Sequence, residues 1–178
     1  MDTSTDGHDG PDAGDAVDRR THPNVLRLRE IFAALAAGDP GPAYAATHED
    51  FLNVNDIGAG PWREQRGRDT FYAFFADFCA LFDERPFGQE ILDALGWDDH
   101  VLAVVRETGA AQGQVFDNRA IYLIAVDPDG RWTSLRTLDM DQDSLRRFWA
   151  GVTLPAGAPA WEGVAGAPVP TVPTVPTV

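Results

Sequence analysis

Residues 131–145 read RWTSLRTLDMDQDSL and place Asp139, Asp141 and Asp143 within five positions. A carboxylate there can serve as a general acid or base, as a helix cap, or as part of a solvated turn. Strand alternation separates the options. Thr133, Leu135, Thr137 and Asp139 share one side of the segment, and Trp132, Ser134, Arg136, Leu138 and Met140 share the other. Asp141 and Asp143 precede the helical pattern SLRRFWAG, where a carboxylate accepts from free amides and suits the helix dipole. That explains both without a functional role. Asp139 has no such explanation. In a dry, aromatic pocket its carboxyl would hold a proton near neutral pH, and at a cavity mouth it would pair with Arg66 or Arg68.

Tyr122 shares a strand face with Asn118, Ala120 and Ile124. Its phenol can polarise a substrate carbonyl, or rest as a satisfied core hydroxyl. Asn55 and Asp56 stand where a strand opens into DIGAGPWREQRG, which carries Trp62 and is glycine-rich enough to cover a flat ligand. Asn55 would hydrogen-bond a carbonyl or water there; equally, Asn-Asp makes a turn.

These residues need elements to hold them. HPNVLRLREIFAALAAGD puts Leu28, Ile31, Phe32 and Leu35 on one helical stripe that ends at Gly38, and PAYAATHED reads as a short second helix. FLNVN (51–55) alternates as a strand. Asp69 caps a third helix with Phe71, Phe74, Phe75, Phe78 and Phe82 at helical spacing. QEILDALGW, HVLAVVRET, GQVFDNRAIYLIAV and RWTSLRTLDM read as four long strands. Helices first and then successive strands predict an α+β domain.

Composition narrows the function. The chain has 178 residues, 44% of them hydrophobic, and a formal net charge of −14. That charge argues against nucleic acid, because phosphate binding needs clustered cations. With no Lys there is neither Schiff-base nor phosphate-loop lysine chemistry, and the lone Cys79 makes no intramolecular disulfide. No two histidines share a helical turn or strand face, so no metal site is expected; His48, in THED, reads as a helix-end cation. No apolar run suits a membrane, which leads us to expect a cytoplasmic protein without cofactor. Residues 1–21 read as a disordered acidic tail, 22–152 as the domain, and 153–178, ending in Pro-Thr-Val repeats, as a Pro-rich flexible tail.

The order of elements, with AALAAGD after the first helix, RGRDTFYAFF opening the third and VDPDGRWTSLRTLDMDQDSL at the end, resembles the SnoaL-like family over residues 24–150. This is the polyketide cyclase-like branch of the nuclear transport factor 2-like superfamily. The resemblance implies a cone-shaped α+β barrel: a curved mixed or antiparallel sheet wraps three N-terminal helices, with a short C-terminal helix. It also implies one deep apolar pocket, and a homodimer formed through the outer sheet face. The odd-numbered set on the last strand would then face the pocket.

The isomerase cousins' base falls at Asn55, with Asp56 next, and their two donors fall at Ile31 and Tyr122, which disfavours steroid isomerisation. The epoxide hydrolases' Arg-x-Asp pair is missing from HVLAVVRETG, although Asn53–Asn55 resembles part of their water-holding set. The cyclases' acid/base aspartate falls at Asp139. The expected function is therefore acid/base chemistry (cyclisation, isomerisation or dehydration) on a hydrophobic oxygenated small molecule such as a polyketide intermediate. Asp139, Tyr122 and Asn55 would be catalytic. Asp56, Trp62, Phe71, Phe75, Asn118, Leu135 and Thr137 would bind substrate. The alternative is a non-catalytic dimeric ligand-binding or association domain.

Overall fold

The computed structural model describes residues 18–55 and 63–154. The Asp56 and Trp62 expectations, residues 1–17 and residues 155–178 lie outside it. A single 3-10 turn, Arg19–Thr21, precedes helix α1 (Pro23–Ala36), and Arg20 pairs with Asp93 at 2.9 Å. Pro23 takes the first helical position, where its missing N–H costs nothing, and His22 Nδ1 accepts from Asn24 N. Val25, Leu28, Ile31 and Phe32 are buried along one stripe, each contributing about 1.5–3 kcal/mol of apolar burial. Helix α2 (Gly41–Ala46) is short, and strand β1 runs Thr47–Asn55.

THED therefore continues the strand rather than the helix. Thr47 and Phe51 are buried but Glu49 between them is exposed, and the register with β6 shifts there, so β1 starts earlier than FLNVN suggests without a continuous alternation to announce it. His48 consequently sits on a strand, two residues past the end of α2, where its Nδ1 accepts from Asp50 N. Strand β2 (Glu64–Arg66), within a stretch expected as loop, pairs antiparallel with β1. Gly67, at φ 89°, caps helix α3 (Arg68–Ala80). Asp69 instead accepts from the Tyr44 hydroxyl at 2.5 Å from within the helix's first turn.

Three long strands follow: β3 (Arg85–Gly96), β4 (His100–Ala111) and β5 (Gln114–Val126). Then come β6 (Trp132–Asp139) and helix α4 (Gln142–Ala150). The sheet order is β2-β1-β6-β5-β4-β3, with β1 and β6 parallel and every other pair antiparallel. This curved, unclosed sheet and its helices make the expected cone-shaped α+β fold.

Two apolar clusters fill the concave side. One joins α1, α2 and the middle of the sheet, around Leu28, Phe51, Val101 and Ile124. The other joins α4 to the sheet's far end, around Phe82, Phe116, Phe148 and Trp149. Gly109 on β4 lets the Phe82 ring lie against the strand, since a Cβ there would meet Phe82 Cδ1 at 2.4 Å. No side chain of α3 is fully buried, although Phe71, Phe74, Phe75 and Phe78 all face inward. Their half-buried state has a simple cause: they line a void between the two clusters.

Candidate functional site

That void encloses about 120 Å³, several times what one water needs. The four α3 phenylalanines wall one side, and Phe32, Phe87, Phe116 and Trp149 extend the aromatic lining. Opposite them, the concave sheet face carries a polar band. Asn53 and Asn55 come from β1, Thr137 and Asp139 from β6, Asn118 and Tyr122 from β5, Glu107 from β4 and Gln89 from β3. Strand register assembles it: Asn55 lies opposite Thr137, Thr137 opposite Tyr122, Asn118 opposite Glu107, and Glu107 opposite Gln89. Directly paired residues project from the same sheet face, so this pairing concentrates polar groups in an otherwise apolar cavity.

At its centre, Asn118 Nδ2 donates to Asp139 Oδ1 at 2.6 Å and to Glu107 Oε2 at 3.0 Å. One amide nitrogen therefore serves two carboxylates. Asn118 Oδ1 accepts no hydrogen bond among the described residues. The Tyr122 hydroxyl bonds to Glu107 Oε1, and Gln89 Nε2 donates to the Tyr122 oxygen at 2.5 Å. Burial pushes the Glu107 carboxyl above its usual range, and hydrogen bonds from Tyr122, Asn118 and Gln89 only partly oppose that. Burial, then the charge of Glu107, pushes the Tyr122 phenol well above its ordinary value. Both groups therefore favour their protonated forms, as a proton-donating pair requires.

Asp139, Tyr122, Asn55, Phe71, Phe75, Leu135 and Thr137 all line the cavity, and buried Asn118 ties the acids together behind them. Asp139 meets an amide where Arg66 or Arg68 had been considered. Arg66 instead bonds Glu64 at 2.7 Å, while Arg68 lies over the Tyr44 ring and donates to Thr47 O. Asp141 caps α4 by accepting from Ser144 N at 2.8 Å, and Asp143 in the first turn pairs with Arg146.

The inward set on β6 differs from strict alternation at one point. Ala125 opposes Ser134 but Val126 opposes Trp132, so Thr133 bulges and Trp132 turns into the cavity.

Glu107 and Gln89 were not anticipated. The signal for Glu107 lies in VLAVVRETGAA: Val101, Ala103, Val105, Glu107, Gly109 and Ala111 alternate onto one face, and the acid interrupts a small apolar row. Arg106, its neighbour, points outward and forms a 2.6 Å ion pair with Asp117. Gln89 falls well inside β3, which begins at Arg85 rather than at Gln89. Cys79 is half-buried, and burial pushes its thiol up to about 11, so it is a poor nucleophile. Among the described residues no group of His, Cys, Asp or Glu is placed to hold a metal. No helix among them is long and apolar enough to cross a membrane.

A family model for the SnoaL-like domain matches residues 28–135. The chain belongs to the SnoaL-like family. Solved structures agree on the fold. Bal32a, from a soil-derived mobile gene cassette, superposes with a TM-score of 0.63 at 22% identity, covering 71% of this chain and 95% of that one. A protein from Jannaschia sp. CCS1 described as a SnoaL-like polyketide cyclase gives 0.56 at 19%, covering 74% and 92%. An M. tuberculosis LEH-like epoxide hydrolase gives 0.56 at 18%, covering 72% and 90%. No curated protein matches the sequence. At these identities the likeness establishes the scaffold of this SnoaL-like domain, and its chemistry has to come from its own cavity.

Proposed function

We propose that this SnoaL-like domain is a cofactor-independent enzyme that moves a proton on a hydrophobic, oxygenated small molecule, in a cyclisation, isomerisation or dehydration. The observation that carries this is the pair of carboxylates, Glu107 and Asp139, held by one amide inside an aromatic-lined cavity. Their surroundings suit different roles. Asp139, lining the cavity, accepts a proton from a carbon beside a substrate carbonyl. As that C–H bond breaks, its electron pair moves onto the carbonyl oxygen.

Tyr122 stabilises the resulting oxyanion. When Glu107 is protonated its O–H donates to the Tyr122 oxygen, which also accepts from Gln89. The phenol hydrogen is then free to point at substrate. Asn55 orients the same carbonyl, and the Phe71 and Phe75 rings, stacked at 5.9 Å, hold the ring system in place. Cyclisation or dehydration would follow from the enolate according to the electrophile or leaving group it meets.

The α-hydrogens of 2-tetralone provide a test. In deuterium oxide the protein should accelerate their exchange, read by NMR, and Asp139→Asn with the fold intact should lower the rate at least about 100-fold. Equal rates for the two proteins would overturn the assignment of Asp139. Binding of 2-tetralone with no acceleration by the unaltered protein would favour a ligand-binding domain. We also assign the outer sheet face, where Leu123 and Leu138 are exposed beside Leu52 and Val54, as a homodimer contact. A monomeric mass by light scattering at micromolar concentration would refute it.

A further inference from the structure

The polar band does not end at the acids. At its other end Asn53 and Gln65 are direct partners across β1 and β2, so both side chains project from one sheet face, and Asn53 lines the cavity. They are 5% and 3% exposed. Asn53 Nδ2 donates to Gln65 Oε1 at 2.5 Å, and Gln65 Nε2, fully buried, has no partner among the described residues. Burying an amide donor without a partner is costly. Each amide carries two donor hydrogens and an oxygen that can accept twice, and their mutual bond uses one hydrogen and one lone pair. Whichever way the two amides are turned, Asn53 keeps an N–H and an oxygen lone pair for the cavity it lines. The complement of such a pair is a group that both donates and accepts, which a hydroxyl does and a ketone or ether oxygen does not.

Register places this pair relative to the acids. Asn53 lies opposite Leu135, Asn55 opposite Thr137, and Thr137 opposite Tyr122. Asn53 is thus two strand spacings and one side-chain repeat from Tyr122, about 12 Å between backbones. Side chains reaching inward from both ends leave a gap that a fused bicyclic or tricyclic ring system fills. The aromatic wall supplied by α3 runs along that gap.

We propose that Asn53, its amide held by Gln65 outside the cavity lining, forms a hydroxyl-recognising subsite, so that the ligand is a fused-ring molecule with one oxygen at the Tyr122–Glu107 end and a hydroxyl at the Asn53 end. This rests on the cavity being the ligand site, as proposed above, but not on Asp139 moving a proton. It makes Gln65, outside every contact with the acids, a positioning residue for that specificity.

The test compares 2,6-dihydroxynaphthalene with 2-naphthol, their binding read by quenching of tryptophan fluorescence. The unaltered protein should bind the diol about five- to tenfold more tightly, the gain of a further hydrogen-bonded hydroxyl. Gln65→Met, similar in volume, and Gln65→Leu, neither of which can hold the Asn53 amide, should each bring the diol down to the naphthol's affinity. Naphthol affinity should stay unchanged, which also reports that the variants are folded. A preference for the diol that survives both substitutions, or equal affinities in the unaltered protein, overturns the subsite alone. Failure of either compound to bind the unaltered protein overturns the cavity as a ligand site, and the subsite with it.

Discussion

Glu107 and Asp139 take hydrogen bonds from the same nitrogen, Asn118 Nδ2, at 3.0 and 2.6 Å. Glu107 is buried and Asp139 half-buried, and burial favours the protonated form of Glu107. A neutral amide between them spaces the acids without supplying the charge an arginine would. Of the two acids, the more buried Glu107 is the one whose surroundings favour holding a proton.

Asn118→Leu should be the variant that breaks this bridge. Removing the shared donor leaves buried acceptors unsatisfied and should cost about 1–3 kcal/mol in urea unfolding. Exchange of 2-tetralone hydrogens should fall with it, because Asp139 loses the amide that holds it in place.

Glu107→Gln should change how stability depends on pH. An acid whose folded-state pKa is raised takes up a proton on folding, so folding weakens as pH climbs above the ordinary glutamate value of 4.5. Glutamine carries no proton to lose. The melting temperature of Glu107→Gln relative to the unaltered protein should therefore rise from acid toward neutral pH. A constant difference across that range would show that Glu107 is ionised in the folded state as readily as in the unfolded chain.

Asp141→Ala should separate cap from catalyst. Losing the bond to Ser144 N should cost about 1 kcal/mol, because α4 anchors Leu145, Phe148 and Trp149 in the second core cluster. Exchange activity should persist in the folded protein, the opposite of the Asp139→Asn result. Equal loss of activity in both variants would place the cap inside the working site.

Gly109→Ala should be poorly tolerated despite adding one methyl. The new Cβ would sit 2.4 Å from Phe82 Cδ1, and the Phe82 ring is stacked on Phe148 and packed against Phe116, so it has little room to yield. We expect a loss of roughly 1–3 kcal/mol in thermal or urea unfolding. Pairing it with Phe82→Leu should restore part of that loss, since the smaller side chain clears the methyl.

Much of this molecule can be read from local sequence. Leu28, Ile31 and Phe32 recur at helical spacing and lie buried in α1, because periodicity alone decides which side of a helix meets the core. The same logic separated Asp141, a cap bounded by its own helix, from Asp139 on the strand before it. Departures began where a backbone irregularity or a boundary shift broke the pattern. A single bulge at Thr133 carried Trp132 to the face opposite the one alternation assigns, and an early start put Gln89 inside β3.

What sequence alone determined, then, was the set of elements apart from β2, and the aromatic face of α3, since each depends on neighbours a few residues away; the inward side of Asp139 came with the family resemblance. Which polar groups meet was decided by tertiary structure. Glu107 and Asn118 come together through β4–β5 register, Asp139 joins them across the β5–β6 pair, and Asn53 finds Gln65 only because β2 folds back beside β1. Such pairings link residues far apart in the chain, and a strand's own alternation carries no information about which partner will lie opposite.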